Sequence, residues 1–415
     1  MLLTRTAHAP PSPLALTASG IALIAASYGF ARFAYGLFMP AFQDEFALDA
    51  GAGGAIAAGS YLSYCLAVLA AGALTRSWGS RAVAVAAGVT AACATLTVAL
   101  APHPLVLAVG AVVGGASTGI ASPPLAEAAA RAVNPDRRDS VQTAINSGTG
   151  LGVALAGPIA VALADHWRLA WALFSAVCVL VTWWVARTLP PRDADAAPAV
   201  DVADSLVDAG RPEQPAATSP ARRAAPEEAV AGRLRLLLAA GAAGIASAAV
   251  WTFGLTLLTE EGRIEESLAQ TSWLVLGVCG VIGAGAGLLV RIAGLTRAWV
   301  AVCAALAIAT GGMAARPGDP LTAFAASAVF GAAYIALTGL LLVWATRLTP
   351  ERVARGVSLA FLALAVGQAC GSSLWGLVGE RLGLVPAFAC AAGAAAAAAL
   401  IRPARRRRGA QAAGE

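Results

Sequence analysis

The sequence contains no lysine; all 28 of its basic residues are arginine. A phosphate-binding loop of the Gly-x-x-x-x-Gly-Lys-Ser/Thr type is therefore excluded, and with it an ATP-driven pump housed in this chain. Arginine in place of lysine at any one position carries no message, because the alanine-rich composition points to GC-rich coding throughout. Histidine is scarce too: His8, His103 and His166 are scattered, so no metal site is expected. The seven cysteines (65, 93, 178, 279, 303, 370 and 390) form no Cys-x-x-Cys pair and all lie in apolar runs. They read as small apolar side chains rather than disulfide partners or zinc ligands. There is no Ser/His/Asp set, no His-Glu-x-x-His and no pair of carboxylates within an apolar segment, so neither an enzyme nor a cofactor is expected. Charge is thin as well: 12% of residues are charged, against about 25% in a soluble domain.

What remains is apolar. Hydrophobic residues make up 59% of the chain and the mean hydropathy is +0.73. A bilayer core takes about 20 apolar residues per helix. In that frame the sequence predicts spans near 15–39, 53–75, 82–101, 105–129, 139–164 and 168–188, then 234–258, 268–290, 297–315, 319–346, 354–378 and 384–401. The first apolar stretch runs through Pro40, too long for the core of a cleaved signal, and reads as a membrane span. The expected organisation is an N-terminal tail (1–14), a six-helix bundle (15–189), a linker (190–232), a second six-helix bundle (233–402) and a basic tail (403–415). The linker holds seven prolines, eight acidic residues and four arginines, with few large apolar side chains, so it is expected to be disordered.

The two sets of spans are copies of one another. Gly72-x-x-x-Arg76-x-x-Gly79 and Gly287-x-x-x-Arg291-x-x-Gly294 lie 215 residues apart. So do Pro135-Asp136-Arg137 and Pro350-Glu351-Arg352, Gly152 and Gly367, and Asp165 and Glu380. One shared spacing across four features indicates duplication. Arginine also sorts by side: with both termini and the linker inside, the inner segments hold 23 arginines and the outer loops four (168, 263, 316 and 381). The positive-inside rule then places the termini in the cytoplasm, and the plasma (inner) membrane is the expected location. Regular spacing of arginine between apolar runs, rather than one basic domain, argues against nucleic acid as a partner.

Twelve spans as six plus six, a long central loop and a glycine-rich turn after spans two and eight resemble the major facilitator superfamily. The family's turn runs Gly-x-x-x-Asp-Arg-x-Gly-Arg-Arg/Lys; here it reads Gly72-Ala-Leu-Thr-Arg76-Ser77-Trp-Gly79-Ser80-Arg81, with arginine in the aspartate's place. Physically, Gly72 lets two helices approach and Gly79 suits a tight turn, while Arg76 and Arg81 suit anionic lipid headgroups. The stripe Gly148, Gly150, Gly152 and Gly157-Pro158 resembles a degraded form of the family's antiporter motif; helix packing is its plainer reading. Within the superfamily, "GFARFAYGLFMPAFQDEF" and "GSYLSYCLAVLAAGAL" resemble the YbfB/YjiJ-like branch. The resemblance implies an all-α, twelve-helix monomer that carries a small-molecule substrate by alternating access, with a proton as the usual coupled ion. No mid-span carboxylate for a proton is evident, so uniport, anion exchange and a proton site at Glu127 stay open. Proton-coupled efflux of drugs or metabolites and a transporter-derived sensor are the competing readings, although the linker offers no folded output domain.

One charge stands out. Arg32, in "SYGFARFAYGLF", has no acidic residue within ten positions. It lies past the middle of span one by about 7 Å of helix, where a charge costs roughly 2.5–3.5 kcal/mol. Snorkelling to the interface is the bland account. Yet Tyr28, Arg32 and Tyr35 share a helical face, and Tyr61 and Tyr64 form a second polar-aromatic stripe on span two. A guanidinium among phenols suits an anionic or amphipathic solute. Trp251, Thr252, Tyr334, Asn146 and Gln368 are further cavity candidates, and Glu127 is expected to pair with Arg131 one turn on. Ser247, the mate of Arg32 in the second copy, carries no charge.

Overall fold

The computed structural model describes residues 13–190, 226–283, 285–349 and 353–403, and among them every regular element is helical. Fourteen helices follow in order. They are α1 (Pro13–Leu37), α2 (Met39–Phe46), α3 (Ala50–Trp78), α4 (Ser80–Ala99), α5 (Pro104–Ala132), α6 (Pro135–Ala162) and α7 (Trp167–Thr188). The second half has α8 (Pro226–Thr256), α9 (Glu266–Gly283), α10 (Ala286–Ala293), α11 (Leu295–Ala315), α12 (Pro320–Leu348), α13 (Val353–Leu382) and α14 (Leu384–Leu400). Among the described residues ten helices are long and apolar enough to span a bilayer, eleven if α9 and α10, bent by 54°, count as one, and α14 is a shorter apolar helix.

The starts follow from local chemistry. Proline, whose missing N–H is harmless in a first turn, opens α5, α6, α8 and α12. Asp49 caps α3 by accepting from the Ala52 N–H, and Asp319 caps α12 by accepting from Leu321 and Thr322. Helix α8 begins at Pro226, earlier than the linker boundary expected at 232. The remaining linker, 191–225, and most of both tails lie outside the described residues.

The duplication is visible in the backbone. Gly79 joins α3 to α4 at φ +84°, and Gly294 joins α10 to α11 at φ +78°, a conformation that favours glycine. In the first half α1 packs on α6, α3 on α5 and α4 on α7; in the second, α8 packs on α13, α9 on α12 and α11 on α14. The halves meet where α3 lies along α13 and α6 along α9.

Successive spans alternate in direction, so both described termini and the 190/226 break share one end of the molecule. At the opposite, distal end the halves are in close contact. An ideal Cβ on Gly36 would lie 2.0 Å from the Trp251 carbonyl oxygen, so only glycine permits this approach of α1 to α8. Nearby the Thr256 hydroxyl donates to Gln43 Oε1 across the halves at 3.1 Å. Close approach continues to mid-height, where Gly150 of α6 faces Gly277 and Val281 of α9.

Candidate functional site

Helix α1 is not uniform. Residues Ala25–Phe33 form a π-helix, and the Ala34 N–H bonds back to the Gly29 carbonyl, five residues earlier. The small residues Ala25, Ala26, Ser27 and Gly29 accommodate the wider coil, which is otherwise rare and concentrates at functional sites. Its counterpart in the second half, residues 240–248, is ordinary α-helix. The π-turn re-aims the face that carries Arg32.

Arg32 is buried, 7% exposed, and no carboxylate pairs with it among the described residues. Snorkelling does not describe this placement. Aromatic rings surround the guanidinium instead: its central carbon lies 4.5 Å from the Tyr61 ring centre, 4.7 Å from Tyr64, 5.3 Å from Phe33 and 5.7 Å from Tyr28. Each such contact contributes about 0.5–2 kcal/mol, more when desolvated, so the cage offsets much of the cost of the charge. Hydrogen bonding is thin by comparison. Nη1 donates to Thr118 Oγ1 at 3.4 Å, Nη2 donates to Gln368 Oε1 at 3.5 Å, and Nε has no partner.

The contributors share one level. Tyr64, Thr118, Tyr334 and Gln368 sit at the middles of α3, α5, α12 and α13. Gln368 and Tyr334 belong to the second half and are themselves joined, Gln368 Nε2 donating to the Tyr334 hydroxyl at 3.1 Å. Trp251 of α8 stacks on Phe33 with ring centres 4.1 Å apart and meets Tyr334 edge-on at 5.1 Å. Its indole N–H is buried without a partner, as is the Ser27 hydroxyl. A lone cation with unfilled donors, walled by rings from both halves, is suited to hold an anionic or strongly polar solute.

Seven of the ten residues expected at the site converge there: Tyr28, Arg32, Tyr61, Tyr64, Trp251, Tyr334 and Gln368. Tyr35 does not join them. Its hydroxyl donates to the Gly53 carbonyl at 3.1 Å and its ring lies against Phe42, because the π-helix ends the simple i, i+4, i+7 face. Asn146 is exposed and accepts from Gln142 on the same helix at 3.3 Å, nearer the termini end of α6. Thr252 bonds Ser372 within the second half. Sequence reasoning overlooked Phe33 and Thr118. Thr118 could have been found from the small polar run Ser117, Thr118 and Ser122 at mid-span four; the Tyr28 hydroxyl meets Ser122 Oγ at 3.3 Å.

The turn motif lies at the termini end, with Gly72 and Gly79 buried and Arg76 and Arg81 half-buried between α3 and α4. Gly157 lies against Leu274 of α9, and exposed Pro158 shares an apolar groove with Thr271. Glu127 and Arg131 form the expected ion pair. Beyond the spans, Glu45 of α2 bonds Arg168 and the Trp167 indole N–H, each at 2.7 Å; the Arg168 hydrogen bond holds its carboxyl below the usual range.

Comparison with known proteins agrees with this architecture. The family described as Major Facilitator Superfamily matches residues 21–360. No curated protein matches the chain significantly. Among solved structures, the nucleoside transporter NupG superposes with a TM-score of 0.71 at 12% identity, covering 93% of this chain and 98% of its own. The peptide transporter POT gives 0.71 at 15% identity, with 94% and 93% covered. A bacterial homologue of the human lysosomal transporter Spinster, in an inward-facing and unoccupied conformation, gives 0.68 at 16% identity, again with 94% and 93% covered.

Proposed function

Since the chain belongs to the Major Facilitator Superfamily, we propose that it is a secondary transporter whose two halves rock about a solute site centred on Arg32. It is a multi-pass membrane transporter rather than an enzyme. The observation that carries the proposal is a buried cation at mid-height, without a carboxylate partner among the described residues and reached by side chains of both halves. A site touched by both halves changes when they move, which is what coupling of binding to alternating access requires. The solute is a small organic anion or a polar, amphipathic metabolite. Nucleosides and peptides are named for two of the structural neighbours, but that likeness is one of fold, so Arg32 alone bears on the substrate class.

The rest of the proposal rests on sequence. Arginine bias supports cytoplasmic ends and a cytoplasmic linker, for a chain placed in the inner membrane. The division into two six-helix bundles follows the 215-residue repeat, and the YbfB/YjiJ-like placement follows the Gly29-Phe-Ala-Arg32-Phe-Ala-Tyr35 segment. A monomer in contact with lipid, coupled to a proton or to a second solute, completes it.

Flux into liposomes bearing the purified protein is the test. Arg32→Ala should abolish uptake while leaving the melting temperature within a few degrees, and Arg32→Lys should lose most of it, since a point charge cannot replace a planar fork. Normal flux in Arg32→Ala would refute the site. Absence of any flux, with ligand-dependent binding retained, would favour a sensor.

A further inference from the structure

The least satisfied bonding at the site lies along one edge of Arg32. A guanidinium takes a two-oxygen anion either end-on, through Nη1 and Nη2, or side-on, through Nε and Nη2. Thr118 Oγ1 already accepts from Nη1. On the side-on edge Nε is buried and unpartnered, and Nη2 holds only the 3.5 Å contact to Gln368 Oε1. The side-on fork is therefore open except for one long bond, and that bond comes from the other half of the molecule.

We infer that a monocarboxylate with an aromatic or apolar body docks side-on across Nε and Nη2 of Arg32, and that Gln368 is the placeholder it displaces. This deepens the transport reading and rests on it. The carboxylate matches the geometry, since two coplanar oxygens face two parallel N–H bonds. Charge sets the valence: Arg32 is the one cation among the described side chains gathered at the site. A phosphate monoester carries about −1.5 to −2 at neutral pH, and the excess would be buried without a partner. The body follows from the walls. From the guanidinium the rings continue through Phe33 to Trp251, and from Trp251 to Phe330 at 5.7 Å and Tyr334 at 5.1 Å. The free Trp251 N–H offers one donor to a polar substituent on that body.

Displacement has a conformational consequence. The Arg32–Gln368 bond joins the two halves, and its loss removes a tie between α1 and α13 at mid-height. Gln368 stays placed through its Nε2, which keeps the Tyr334 hydroxyl, while its Oε1 gives up the bond from Arg32. Solute binding then frees the halves to move relative to one another.

The test uses purified full-length protein and three probes, benzoate, acetate and inorganic phosphate, with binding read by thermal shift and calorimetry. Benzoate should bind, acetate more weakly, and phosphate not at all. Gln368→Ala should bind benzoate about three- to tenfold more tightly, because the ligand no longer displaces a hydrogen bond to a charged group. Gln368→Glu places an internal carboxylate on the same fork and should weaken benzoate at least about tenfold. Arg32→Lys should do likewise. Weaker benzoate binding by a folded Gln368→Ala would make Gln368 a ligand contact and overturn the placeholder role. Phosphate binding as tight as benzoate would overturn the monocarboxylate class. If benzoate fails to bind while Arg32→Ala still abolishes flux of some other solute, this inference falls and the transport reading stands. If no flux depends on Arg32, the transport site itself falls.

Discussion

Arg32 is held by rings more than by hydrogen bonds, and that balance predicts how its neighbours tolerate change. Tyr61→Phe keeps the ring 4.5 Å from the guanidinium and should melt near the parent temperature. Tyr61→Leu removes the quadrupole and leaves a gap beside a buried charge, and should lower stability by about 2 kcal/mol or more; equal melting temperatures for the two variants would show that the cage contributes nothing. A different balance governs Glu45, an exposed carboxylate outside the spans. Its pKa is lowered by Arg168, so the α2–α7 tether is present above the ordinary glutamate value and is lost as pH falls through the lowered one. At neutral pH Glu45→Gln should cost less than about 1 kcal/mol, as expected for an exposed pair. The difference from the parent, followed by melting at a series of pH values, should vanish under acid conditions.

Among the helices, glycine does two unrelated jobs that one substitution separates. Gly294 sits at φ +78° with nothing within 4 Å of an added Cβ, so Gly294→Ala should be destabilising by about 1–2 kcal/mol through backbone strain alone. Gly287, six residues into the same segment from Val281 and helical within α10, also meets nothing within 4 Å. There Gly287→Ala should be neutral or stabilising by up to about 1 kcal/mol, since alanine loses less freedom in a helix. Melting of the two variants checks the opposite signs. The same reasoning explains why a pattern of glycines in α6 was legible as packing but not as partner choice: Gly152 meets Ala25 of α1, whereas Gly157 meets Leu274 of α9 in the other half.

For the molecule as a whole, closure at the distal end is the state described, and Gly36 is where it is most sensitive. An added Cβ would fall 2.0 Å from the Trp251 carbonyl, so Gly36→Ala should disfavour distal closure and slow transport. A cysteine at Gln43 should then label faster with an impermeant maleimide in a cysteine-free background; unchanged labelling would place the barrier elsewhere. Orientation has its own check. In intact cells Arg263→Cys should label from outside and Ser205→Cys should not. The reverse would invert the topology and with it the arginine bias.

The sequence by itself determined the spans, the duplication and the singular charge, because each depends on local composition: runs of apolar side chains, a 215-residue repeat, one arginine far from any acid. It determined less at the linker's end, where α8 already starts at Pro226, within a stretch whose average composition reads as disordered. Only the tertiary structure decided which residues meet Arg32. A π-helix sends Tyr35 to Gly53 and brings in Phe33, and neither choice follows from a 3.6-residue period. Thr118 and Gln368 lie 86 and 336 residues from Arg32 along the chain. Their convergence depends on how twelve spans pack, and a window of sequence carries no term for that.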